Sequence, residues 1–294
     1  HPMLGLKMAP VREVVRLMGP RLLGVAVVQL NFWVNIRLAS TMPKGSVTGL
    51  TFAFILMLMP QAAIAQSIAT AAMPTLAAQF SRGQFDQVRA SLAASLRGVL
   101  LLSIPAAVGL ILLRGPIITI LYQRGEFTAH SRELVAWALL WYAAGLVGHS
   151  VMEILARAFY ALHDTKTPVF VGMIAMSLNV IFSFAFAALF KRIGWMPHGG
   201  LALANSLATA LETVGLLVLM RRRLKTMEGG SIWQGAIQAT IAAAGMSVSL
   251  WGWMALFNGR SAWLVGGAGI IFGGMVYGAL LLILRVNELQ LVMR

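Results

Sequence analysis

The sequence contains no cysteine, which removes disulfides and thiolate metal centres from consideration and leaves the redox compartment open. Acidic residues are almost as scarce: Asp and Glu together number 9 in 294 residues, too few to equip an embedded hydrolase or transferase with general acids and bases. The histidines, His1, His130, His149, His163 and His198, are scattered, and no HxxxH or HExxH pair holds a metal. No lysine follows a glycine, so there is no Walker-type loop for direct ATP use. No cofactor is expected, and any vectorial work would draw on an ion gradient or the membrane potential. Charge is also missing from one whole stretch, Gly45 to Ser81.

What is present is apolar. Hydrophobic residues make up 59% of the chain, charged ones 11%, and mean hydropathy is +0.81, values that belong to all-α, multi-span membrane proteins. The net charge of +14 raises nucleic acid as a partner, but the Lys and Arg fall between apolar spans and build no continuous basic face. No nucleic acid is expected.

Eight transmembrane helices are expected, over about 21–40, 45–81, 98–113, 134–160, 167–190, 199–220, 232–257 and 262–284. The uncharged 45–81 stretch would reach roughly 55 Å as one helix, against ~30 Å of hydrocarbon. A kink is predicted at Pro60. Residues 11–18 read as an interfacial helix, and 84–97, with Phe85, Val88, Leu92 and Leu96 opposite Asp86, Arg89 and Arg97, as an amphipathic connector on the membrane surface. Gly115 to Phe127 reads as a reentrant or interfacial piece. In the last span Gly269 and Gly273, and Gly274 and Gly278, stand at the GxxxG interval that lets helices approach closely.

Polar residues inside these spans are the candidate substrate-binding groups. Asn31 and Asn35 lie one turn apart on one face of the first span. Gln61 and Gln66 follow the Pro60 kink, where they either line a polar path or bond to neighbouring helices. Arg37, near a span end, either snorkels to headgroups or faces a cavity. Glu153 stands four residues before Arg157, a spacing that allows an ion pair as readily as a coupling carboxylate. Glu212 has no basic residue within a turn, which makes it a functional candidate. Arg221, Arg222, Arg223 and Lys225 then close the six-span unit, a shift in composition at Glu228 to Gly230 marks a linker, and most of the 23 Lys and Arg fall on the side of both chain ends. The positive-inside rule therefore predicts both ends in the cytoplasm.

Three local patterns resemble the lipid II flippase family, MurJ or MviN. They are Gly45-Ser46-Val47 with Pro60 and the run ending Met73-Pro74-Thr75-Leu76; Arg124-Gly125-Glu126-Phe127-Thr128; and Arg157-Ala158-Phe159-Tyr160-Ala161 leading into Asp164-Thr165-Lys166-Thr167-Pro168. The resemblance spans roughly Val11 to Lys225. It implies the fold of the multidrug/oligosaccharide-lipid/polysaccharide flippase superfamily (MATE-like), with 1–226 as the second six-helix bundle and 227–294 as two accessory helices. It implies membrane lipid and a lipid-linked glycan as partners, and a missing N-terminal six-helix bundle, so that the chain reads as a fragment. Where the family often carries a cavity arginine, Ile55 stands here, and Arg37 is expected to supply the positive charge. The motif residues also have physical roles: Asp164 or Thr165 caps the next helix, and Phe159 and Tyr160 fit an interfacial aromatic belt. Export of small organic cations is the alternative that Glu153 and Glu212 keep open, and a non-transporting scaffold is a third reading.

Overall fold

The computed structural model describes residues 26–284 and 286, all of whose regular structure is helical. The interfacial helix expected at 11–18 lies outside the described residues. Helix α1 covers 26–40 within them. It is followed by α2 (Ser46–Gln61), α3 (Ser67–Ser81), α4 (Phe85–Tyr122), α5 (Ala129–Ala161), α6 (Lys166–Arg192), α7 (His198–Arg223), α8 (Gly229–Leu256) and α9 (Gly269–Ile283). Seven helical segments among the described residues are long and apolar enough to cross a membrane. α1, whose expected start at about residue 21 lies outside the described residues, would add the eighth.

The predicted break at Pro60 takes a specific form. Proline has no N–H to give to the helical ladder, and the register slips just after it into a π segment, Ala62–Gln66, that joins α2 to α3. A second π segment, Trp263–Ala268, opens α9.

Helix α5 is the hub. Its Val135, Leu139 and Leu146 are buried with Leu50, Leu56 and Met57 of α2. Towards its other end Ile154, Leu155 and Phe159 join Leu76 of α3, Leu92 and Leu96 of α4, and Leu216 and Met220 of α7. A separate core holds the last two helices to α4, through Leu101, Leu113, Met246, Leu250 and Leu281. Tyr277 of α9 donates its hydroxyl to the Leu101 carbonyl at 2.6 Å. Outward faces stay apolar: Phe170, Ile181 and Phe184 of α6 and Val248 and Trp251 of α8 are exposed, as lipid-facing helices require.

Several expectations are corrected. Residues 84–97 are no surface connector and Gly115 to Phe127 is no reentrant piece, because Phe85–Tyr122 is one continuous helix. Val88, Leu92 and Leu96 are buried against protein. At the far end Ile118 sits in the core and Tyr122 stacks on Phe52 at 4.7 Å, which keeps the last turns helical. Phe159 belongs to the core at 1% exposure, leaving Tyr160 to face outward. Of the paired glycines only Gly269 and Gly273 meet neighbours, around Leu113 and Leu250; Gly274 and Gly278 face open space.

A close approach of backbone to backbone stands elsewhere, between α6 and α7. A Cβ added at Gly200 would stand 2.6 Å from the Phe186 carbonyl carbon and 2.8 Å from the Ala187 nitrogen. Both obstacles are backbone, so no side chain can swing away. Gly200→Ala is expected to destabilise the protein by about 1–3 kcal/mol, whereas Gly274→Ala stays within about 0.5 kcal/mol of the parent. Thermal unfolding of both variants in detergent checks the contrast.

Candidate functional site

Asn31 and Asn35 point from α1 towards α6, where Asn179 and Ser183 occupy the same one-turn spacing. Asn31 Nδ2 donates to the Met176 carbonyl at 2.8 Å and to Asn179 Oδ1 at 2.9 Å. Asn35 Nδ2 donates to Asn179 Oδ1 at 3.0 Å and to the Asn31 carbonyl at 3.0 Å. Ser183 Oγ donates to Asn35 Oδ1 at 2.9 Å. Amides in apolar helices find no water partner, so they are satisfied across the interface, which fixes α1 against α6.

The network forms one wall of a groove of about 240 Å³ between α1, α2, α5, α6 and α7. Phe32, Leu50, Phe54, Ile55 and Tyr142 supply apolar and aromatic surface, and Asn205 of α7 adds another amide. Among the described residues no Lys, Arg, Asp or Glu lines it. Behind Asn205 a polar chain runs inward: its Oδ1 lies 3.1 Å from His149 Nε2, which is 3.2 Å from the Thr209 hydroxyl.

The structure brings some of the candidates together and not others. Asn31 and Asn35 are in the groove wall. Arg37 is exposed near the end of α1, next to the groove residue Ile36 but not lining the groove itself. Ile55, at the position of the family's arginine, does line it. Gln61 is buried at 5% exposure, and its Oε1 has no hydrogen-bond partner among the described residues. Gln66, at the end of the π segment, is exposed. Glu153 accepts from Arg157 Nε at 2.8 Å. Glu212 is 9% exposed and packs against Gly172 of α6, where an added Cβ would stand 3.2 Å from its Oε1. Asn179, Ser183 and Asn205 were absent from the expected site, although the one-turn spacing of Asn179 and Ser183 repeats that of Asn31 and Asn35.

A second polar cluster closes one end of the bundle. Asp164, in the α5–α6 loop, accepts from the Thr167 N–H at 3.0 Å and from the Thr167 hydroxyl at 2.8 Å. It is therefore Asp164, not Thr165, that caps α6. Arg223, from the end of α7, pairs with the same carboxylate and donates to the Leu162 carbonyl at 3.1 Å. From the start of α4, Arg89 Nη2 reaches the Leu224 carbonyl at 2.7 Å. Burial works against the Asp164 carboxylate, but the Thr167 donors and the Arg223 guanidinium outweigh it and hold its pKa below the ordinary value. A depressed carboxylate stabilises the fold at pH above its ordinary range and loses that contribution as pH falls through the folded-state value. Asp164→Asn is thus expected to lower the melting temperature at neutral pH, with the gap from the parent closing below about pH 4; melting curves across pH check it.

Comparison with known proteins agrees with this architecture. The family model described as lipid II flippase MurJ matches residues 1–271. A probable lipid II flippase MurJ of Vibrio cholerae is 30% identical over 260 residues, covering 84% of this chain and 50% of its own length. A solved lipid II flippase MurJ in an inward closed conformation superposes with a TM-score of 0.78 at 25% identity, over 95% of this chain and 55% of that one. A MOP superfamily transporter from Pyrococcus furiosus shares the fold, with a TM-score of 0.58 at 15% identity over 90% of this chain and 60% of its own. The chain spans about half the length of the curated relatives it matches.

Proposed function

The chain belongs to the lipid II flippase MurJ family, and from that membership we propose that it carries lipid II, the undecaprenyl-linked peptidoglycan precursor, across the cytoplasmic membrane by alternating access. On this reading α1–α7 form one six-helix bundle that rocks against a second bundle, and α8 and α9 are accessory helices. Translocation of this kind moves the lipid headgroup without covalent chemistry, powered by an ion gradient or the membrane potential.

The observation that carries the proposal is the groove. A set of amides is held open to a concave surface inside helices that are otherwise apolar, and irregular or polar features at membrane depth are tolerated only where they meet protein or line a wet path. Export of organic cations fits less well. Such a cargo calls for carboxylates in the cavity, yet Glu153 is paired with Arg157 and neither it nor Glu212 lines the groove.

The diphosphate of lipid II needs positive charge, and guanidinium groups match phosphate oxygens well. Arg37, exposed and next in sequence to the groove residue Ile36, takes that role in place of the family's arginine at Ile55. Arg37→Ala in the full-length protein is expected to lower flipping at least tenfold, with Arg37→Lys partly active, read by the surface accessibility of lipid II. Unchanged flipping in both variants removes Arg37 from the site. Depletion of the full-length protein tests the function itself: lipid II should accumulate in the inner leaflet, and an unchanged distribution turns the reading towards a scaffold.

Orientation follows from the charge pattern. Arg89, Arg221, Arg222 and Arg223 gather at the end closed by Asp164, and this end is placed in the cytoplasm together with both chain ends. Because the chain has no cysteine, single introduced thiols report cleanly. A membrane-impermeant maleimide should label Lys44→Cys in intact cells and Arg222→Cys only after permeabilisation; the reverse pattern inverts the topology.

A further inference from the structure

Glu212 is an acid inside the bundle that no other described residue answers. It is buried midway along α7, roughly 16 Å from the Arg223 end, and makes no hydrogen bond or ion pair among the described residues. The helices packed on α7 bring it no cation. α2 carries no charged residue, and α6 keeps Lys166, Lys191 and Arg192 in its end turns. On α5, Arg157 is taken by Glu153, His149 faces Asn205 and Thr209, and His130, Arg132 and Glu133 stand in the first two turns. On α7 itself His198 is bonded at the start to the Leu134 carbonyl, and the cations begin only at Arg221. A lone carboxylate at membrane depth is costly, and acids retained there mark ion or proton paths.

The surroundings fit a proton better than a larger ion. Across the α6 interface stands Gly172, where an added Cβ would lie 3.2 Å from Glu212 Oε1, so the glycine leaves room for the carboxyl head but supplies no ligand. No second acid joins Glu212, and no group of three or more His, Asp or Glu that could hold a metal ion occurs among the described residues. Towards the groove α7 stays polar. Thr209 lies three residues before Glu212, a neighbour on the same helix face, and Asn205 lies one turn further on. His149 of α5 touches both, 3.2 Å from the Thr209 hydroxyl and 3.1 Å from Asn205 Oδ1. Asn205 lines the groove. Hydroxyl and imidazole each donate and accept, so each can hand on a proton.

We propose that Glu212 is the proton-binding site that powers the flippase, with His149 and Thr209 relaying the proton between it and the groove. This site rests on the flippase reading and names the ion that reading leaves open. The chemistry is proton transfer alone: the carboxylate takes one proton through the groove from the extracytoplasmic side, and the carboxylic acid gives it up to water on the cytoplasmic side after the bundles have rocked. One proton enters for each lipid that leaves.

The full-length protein reconstituted in liposomes with lipid II tests this, with the membrane potential clamped at zero and the outside one pH unit more acidic than the lumen. Exchange of one proton per lipid should enrich lipid II about tenfold in the leaflet facing the acid, whichever way the protein is inserted. A pH dye in the lumen should acidify in step. Glu212→Gln keeps the shape of the side chain and removes the titrating group. It should spread lipid II evenly between the leaflets with no proton entry, and the spreading itself shows that the variant is folded. Glu212→Asp, which restores an acid, should regain part of the enrichment. Enrichment that persists in Glu212→Gln overturns the site, as does its complete absence in Glu212→Asp. Enrichment lost in His149→Gln but kept in Glu212→Gln moves the proton to the imidazole and also overturns the assignment. A parent that moves lipid II yet ignores the pH difference overturns proton coupling and leaves the flippase reading standing. A parent that moves no lipid II under any gradient counts against that reading itself.

Discussion

A polar group inside a helix that faces lipid has no water to turn to, and the arrangement of this bundle follows from that constraint. Asn31, Asn35, Asn179 and Ser183 meet each other because each alone would be left unsatisfied, at a cost of about 1–3 kcal/mol per buried group. Their mutual bonds contribute less than that in net stability, roughly 0.6–2 kcal/mol each between membrane helices. Their main effect is therefore on specificity: α1 has one register against α6 in which its amides are paired, and every other register leaves several of them bare.

The same constraint explains the break in the second span. Pro60 forfeits the backbone bond to the Leu56 carbonyl, and just after it the Ala62 N–H reaches both the Leu58 and Met59 carbonyls as the chain enters the π segment. Gln61 is placed at this point and is buried. The result is two helical pieces that pack against different parts of α5, α2 against its first half and α3 against its second. A straight helix could not follow both surfaces. α4 takes the opposite course and stays helical through Pro105 and Pro116, where packing on Gly266 of the second π segment brings α9's entry against it.

Much of this was legible in the sequence, because span length, the Pro60 break, the Glu153–Arg157 pair and the Asp164 cap are local. What escaped was long-range. The periodicity of Val88, Leu92 and Leu96 is the same whether the stripe lies on a membrane surface or against protein, and only the positions of α3, α5 and α7 decide between them. The paired glycines show the same limit: Gly269 and Gly273 share an interval with Gly274 and Gly278, yet one pair faces α4 and α8 and the other faces outward. Asn179 could be seen as a polar residue in an apolar span. That it answers Asn31 across 148 residues of chain could not.

The absence of arginine at Ile55 gains meaning once the groove is in view. Ile55 lines the groove at 41% exposure, and an arginine there would bring a charge to a lining that otherwise holds none among the described residues. With Ile55 there, the polar part of the described lining consists of uncharged groups, whose desolvation costs far less than that of a guanidinium. Arg89 and Arg223 stand at one end of the bundle, on the Leu224 carbonyl and the Asp164 carboxylate, and Arg37 is exposed near the end of α1.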